Sequence, residues 1–77
     1  IKMVQVKIMT NTNRVTDVVE ETMTPKQILD AKDIDYATCT VLLDGVALDV
    51  EQMNSSLSDM GITEKCFLAA IVKANNA

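Results

Sequence analysis

The sequence predicts an α+β domain in which a sheet of four to five strands packs on one short helix, in the order strand, strand, helix, strand, short strand, strand. Three observations carry this. "KMVQVKIMT" (2–10) alternates apolar and polar residues with the period of a half-buried strand. "TPKQ" (24–27) is a helix start, and "FLAAIV" (67–72) is a short apolar run that reads as the last strand.

Each element has a local reason. In the first strand Val4, Val6 and Ile8 share one face, and Met3 and Met9 fall on the other. "NTN" (11–13) reads as a hairpin tip, because asparagine tolerates left-handed backbone. The chain returns from Arg14 to Glu21. There Val15 and Val19 share a face with Asp17 while Val18 points the other way, so either Asp17 sits near an edge or a bulge shifts the register. Thr24 is suited to cap a helix, with Pro25 at its first position and Gln27 completing a capping box. Ile28, Leu29 and Ala31 form a short apolar stripe that fades by Asp35. Two to three turns cannot stand alone, so tertiary packing must hold them.

A third strand, Thr38 to Leu43, is closed by Asp44-Gly45, a pair able to take positive φ. Val46 to Leu48 is a brief return, residues 49–56 are polar and read as irregular, and Cys66 to Lys73 is the last strand. The whole of residues 1–77 is one domain, since a chain of this length cannot divide its buried surface between two cores.

Composition narrows the function. Net charge is −4 with no histidine, and the basic residues do not cluster, which disfavours direct nucleic-acid binding. The longest apolar run, Phe67 to Val72, is far too short for a membrane span, and no charged-then-apolar leader opens the chain, so a cytoplasmic protein is expected. Cys39 and Cys66 lack metal-ligand spacing, and no metal or other cofactor is expected. Both read as thiols in a reducing compartment, Cys39 in the core and Cys66 more exposed, with a single bridge left open. No Cys-His or Ser-His pair and no phosphate-cradling glycine loop is present, so an enzyme is not expected. Ser55, Ser56 and Ser58 read as turn and capping residues.

The layout, together with "LSDMGI" (57–62) before the last strand, resembles the ubiquitin-like β-grasp superfamily; Leu57-Ser58-Asp59 and Ile62 are similar to the Leu-Ser-Asp-x-x-Ile element of ubiquitin. The resemblance implies a mixed sheet with the last strand between the first and third. Leu68, Ala70 and Val72 would then face the core, and Phe67, Ala69 and Ile71 would face outward. Leu57 and Ile62 would bury beneath the helix while Ser58 and Asp59 hold the turn.

Carriers and conjugating modifiers of this superfamily act through a C-terminal Gly-Gly. The only glycines here are Gly45 and Gly61, and the tail reads "KANNA", so a reactive terminus at Ala77 is the weaker expectation. The layout is similar to that of glycine-less ubiquitin-like adaptors, such as those beside bacterial type VII secretion systems. The resemblance therefore implies a non-catalytic protein-binding module, a monomer or weak oligomer, whose partner the sequence does not identify. Its binding residues would be Leu42, Ala69 and Ile71, the positions similar to ubiquitin's apolar patch, with Met3 and Met9 enlarging it. The alternative is an acidic inhibitor or decoy of a nucleic-acid enzyme, acting through Glu20, Glu21, Asp33 and Asp35.

Overall fold

The computed structural model describes residues 2–73. Its strands are β1 (Met3–Thr10), β2 (Arg14–Glu20), β3 (Cys39–Leu43), β4 (Val46–Ala47) and β5 (Lys65–Val72). Two helices accompany them, α1 (Pro25–Ala31) and α2 (Val50–Met53), with a 3-10 turn at Tyr36–Thr38. The five strands form one sheet in the order β2-β1-β5-β3-β4. β1 and β5 run parallel and the other pairs antiparallel, so the sheet is mixed and β5 is central, as a β-grasp fold requires.

The capping box forms as the residues dictate. The Gln27 amide donates to Thr24 Oγ1 at 3.1 Å, and the Thr24 amide donates to Gln27 Oε1 at 3.0 Å. The helix lasts seven residues, and its buried face is Pro25, Ile28 and Leu29. Ala31 is exposed, against the expected stripe. Counted from Pro25, the positions three and four residues on are Ile28 and Leu29; Ala31, two residues beyond Leu29 in the last turn, falls at the edge of that face, where it is exposed.

A second helix was not legible as such. Residues 49–56 are polar, yet α2 occupies Val50–Met53. Asp49 caps it and Gln52 returns the bond, the same device as at Thr24. The Asp-x-x-Gln spacing was the available signal; the missing apolar stripe hid it, because only Met53 is buried.

Two ambiguities resolve. The β1–β2 register runs without interruption from Met3 opposite Glu20 to Met9 opposite Arg14, so there is no bulge, and Asp17 faces the helix side at an edge strand. At the hairpin tip, positive φ is not used at residues 11–13. The Thr10 hydroxyl holds the turn instead, receiving the Thr12 and Asn13 amides at 3.4 and 3.1 Å. The Asp44-Gly45 turn does use it, with φ of 50° and 86°.

The core lies between the inner sheet face and α1. Val4, Val6, Ile8, Leu68 and Ala70 meet Ile28, Leu29 and Leu57 there. Leu57 is fully buried and Ile62 half-buried. The intervening turn is held by Ser56, whose hydroxyl receives the Asp59 amide at 3.1 Å and pairs with the Ser58 hydroxyl. Ser58 and Asp59 side chains were expected in that role; the residue two positions earlier has the geometry for it. Val72 faces inward but is 55% exposed, because the core ends before the strand does.

The candidate docking face

The outer face of the sheet carries the residues that the sequence singled out. On β5 these are Phe67, Ala69 and Ile71, which alternate away from the core residues Cys66, Leu68 and Ala70. Cross-strand register brings the rest together: Ala69 has Met9 of β1 on one side and Leu42 of β3 on the other, and Leu42 in turn faces Ala47 of β4. Leu42, Ala69 and Ile71 therefore belong to one contiguous surface, and Met9 joins it.

Three details differ from expectation. Ala69 is only 2% exposed although it faces away from the helix. A methyl side chain lying between a methionine and a leucine is overtopped by both, so Ala69 is the floor of the patch and offers a partner almost no area. Met3 does not join: Gln5 and Lys7 separate it from Met9 along the outer face, and it lies opposite Glu20. Phe67, the only phenylalanine in the chain, does join as a half-buried neighbour of Ala69 along β5. Alternation alone placed it outward, and that was the signal for including it.

The patch is flanked by shallow open depressions. One, of about 430 Å³, is bordered by Gln5, Lys7, Lys65 and Phe67; the other, of about 370 Å³, by Met9, Arg14 and Ile71. Lys7, Arg14 and Lys65 thus stand at the rim of the apolar surface. Among the acids nearby, Asp44 is engaged: its Oδ1 accepts the Phe67 amide at 2.9 Å while its own amide donates to the Phe67 carbonyl at 2.8 Å. The chain is acidic overall, but this face is edged by cations.

The remaining candidates are dispersed. Glu20 lies opposite Met3 at the start of β1, and Glu21 follows it, whereas Asp33 and Asp35 border hollows lined by Thr10 at the strand's other end. Seven residues of strand put these pairs about 23 Å apart. The four acids do not form one surface. Cys66, expected to be the more exposed thiol, is buried, and burial, followed by the nearby Asp44 charge, pushes it up to about 11. It is protonated and inert at neutral pH. Cys39 is half-buried and its thiol donates to the Asp35 carbonyl at 3.2 Å. Cys39 pairs with Val72, six residues along β5 from Cys66, so the two thiols are about 20 Å apart and no bridge can join them within the fold. Among the described residues no group of three metal-ligating side chains converges, and no helix is long and apolar enough to cross a membrane. The tail ending at Ala77 lies outside the described residues.

No family model matches the sequence, and no curated protein does. Solved structures do match in fold. The ubiquitin-like domain of an Arabidopsis thaliana protein superimposes with a TM-score of 0.74 at 18% identity, covering 100% of this chain and 84% of that one. The ubiquitin of Caldiarchaeum subterraneum gives a TM-score of 0.66 at 15% identity, covering 97% and 99%. A chain of the phenol hydroxylase of Pseudomonas sp. OX1 gives 0.68 at 16% identity, covering 94% and 75%. Proteins this different in kind share the architecture and little sequence, so the likeness establishes a ubiquitin-like β-grasp fold and leaves function to the surface.

Proposed function

On the premise of a ubiquitin-like β-grasp fold, we propose that this chain is a protein-binding module that docks a partner on the outer face of its sheet and performs no chemistry of its own. The observation that carries the reading is the convergence of Phe67, Ile71, Met9 and Leu42 around the buried floor of Ala69. Apolar side chains gathered on one open sheet face are what a partner can cover with gain, whereas scattered ones are ordinary surface. The rim of Lys7, Arg14 and Lys65 favours a partner segment that is apolar at its centre and acidic at its flanks, since opposite charges at a rim steer encounter and fix orientation.

The test is capture by the immobilised chain, compared with Leu42→Asp and Ile71→Asp. Both variants should keep the wild-type circular dichroism and lose the proteins that the wild type retains. An unchanged captured set from both variants rules this face out. Ala69→Asp is not a usable probe, because it places a carboxylate at a buried position.

A further inference from the structure

Among the described residues β2 is an open edge of the sheet, bonded to β1 on one side and to no strand on the other. The ladder shows which of its groups face away from β1. Glu21 N–H donates to the Lys2 carbonyl and Thr10 N–H to the Asn13 carbonyl, so the odd-numbered residues of β2 are those bonded to β1. The N–H and C=O groups of Arg14, Thr16 and Val18 and the Glu20 N–H therefore point out along the edge, while the Glu20 carbonyl accepts the Met23 amide at 3.0 Å. Proline and bulges, two common blocks to strand addition, are absent from β2. Val15 and Val18 are 45% and 55% exposed on it.

One residue does block the edge. Asp17 sits at its middle, on the helix side of the sheet; its Oδ2 lies 2.9 Å from Lys32 Nζ, and its Oδ1 accepts the Val18 amide at 2.9 Å. The same carboxylate thus occupies an outward-pointing amide and holds a charge where an added strand would have to cover it. Inward-pointing charge on an edge strand is a recognised guard against pairing.

The strand that this edge fits is its own copy. Arg-Val-Thr-Asp-Val-Val-Glu is self-complementary when a second β2 runs antiparallel with Asp17 on the two-fold axis. Arg14 then opposes Glu20 of the second copy, Val15 opposes Val19, and Thr16 opposes Val18. The even-numbered residues, whose backbone groups face away from β1, fall in the hydrogen-bonded pairs of this register. Only Asp17 meets itself, as two like charges in a close pair.

We propose that the β2 edge is a latent docking strand for a second copy of this chain, held closed by the Asp17 carboxylate. Removing that carboxylate releases the Val18 amide, relieves the opposed charges and lets two five-stranded sheets join across the two-fold axis.

Sedimentation equilibrium tests this across the micromolar range. Wild type is monomeric, and Asp17→Val self-associates at least about tenfold more tightly, stopping at a dimer because a two-fold interface closes on itself. In that background Glu20→Arg sets arginines against Arg14 and returns the monomer, and adding Arg14→Glu restores the dimer. The register has its own readout. Asp17→Cys, made in a Cys39→Ser chain, places two thiols on the axis with Cα atoms about 4.5 Å apart, within reach of a disulfide, so mild oxidation yields a covalent dimer. Should Asp17→Val not fold, Asp17→Ser and Asp17→Cys carry the same comparison. The proposal is overturned if the folded Asp17 variants stay monomeric, if their association ignores Glu20→Arg, or if wild type is already as dimeric as they are.

Discussion

Leu68 and Ile71 lie three residues apart on β5 and on opposite faces of the sheet, so together they separate stability from docking. Leu68 is fully buried in the core, and Leu68→Ala should cost about 2–5 kcal/mol through lost transfer energy and the cavity left behind. A domain of this length is stable by about 4–12 kcal/mol in total. Unfolding entropy of about 2.1 cal/mol/K per residue gives about 160 cal/mol/K for the chain, so each 1 kcal/mol moves Tm by about 6 °C. Leu68→Ala should therefore lower Tm by about 12–30 °C. Ile71 is half-exposed near the strand's end, opposite Thr40, and Ile71→Asp loses only partial burial and some strand preference, about 1 kcal/mol or about 6 °C. Binding should show the reverse order: Leu68→Ala captures partners at temperatures where it is folded, and Ile71→Asp does not. Thermal melts followed by circular dichroism, paired with the capture assay, measure both. If Ile71→Asp melts as far below wild type as Leu68→Ala, Ile71 is a core residue and its effect on capture says nothing about docking.

The helix start and the buried thiol make separate predictions. Thr24→Ala should cost about 1 kcal/mol in urea unfolding, and adding Gln27→Ala should cost less than the two single changes summed, because the two bonds of the box support each other; strict additivity would mean that the box is not a unit. For Cys66 the folded thiol titrates at about 11, above an ordinary value of 9.0, so the native state favours the protonated form. That preference leaves stability flat below pH 9. Between pH 9 and 11 the unfolded chain deprotonates first and stability falls, by about 1–2 kcal/mol for a thiol near the end of a strand where water approaches. The fall should shrink in Cys66→Val, and the folded wild-type chain should leave Cys66 unreactive to a thiol reagent at pH 8. Rapid labelling of Cys66 under native conditions would contradict its burial.

Much of this fold is legible residue by residue. Val4, Val6 and Ile8 announce a one-sided strand, Thr24 to Gln27 announce a helix start, Asp44-Gly45 announce a tight turn, and Leu57 to Ile62 mark the entry to the last strand. Each is a matter of backbone geometry acting over a few residues. The misses have a common character. Ala31 has stripe spacing from Ile28 but sits at the edge of a helix too short to define a stripe, and α2 has a cap without an accompanying apolar face to announce it. At residues 11–13 asparagine suggests a left-handed backbone that the Thr10 hydroxyl makes unnecessary.

Sequence alone thus determined the order of the strands and of the first helix, the central place of the last strand through its resemblance, and the outward direction of Leu42, Ala69 and Ile71, because strand alternation is local. Tertiary structure decided what those directions amount to. Ala69 is buried while its neighbour Phe67 is half-buried, because Met9 and Leu42, distant in the chain, stand beside the first. Cys66 is inert because the core closes over it. Asp17 faces the helix side of an edge because β2 has a neighbour on one side only, and Lys32 arrives from the end of α1 to hold it. Exposure, charge pairing and free edges depend on which side chains the fold brings alongside, and no stretch of sequence contains its own neighbours.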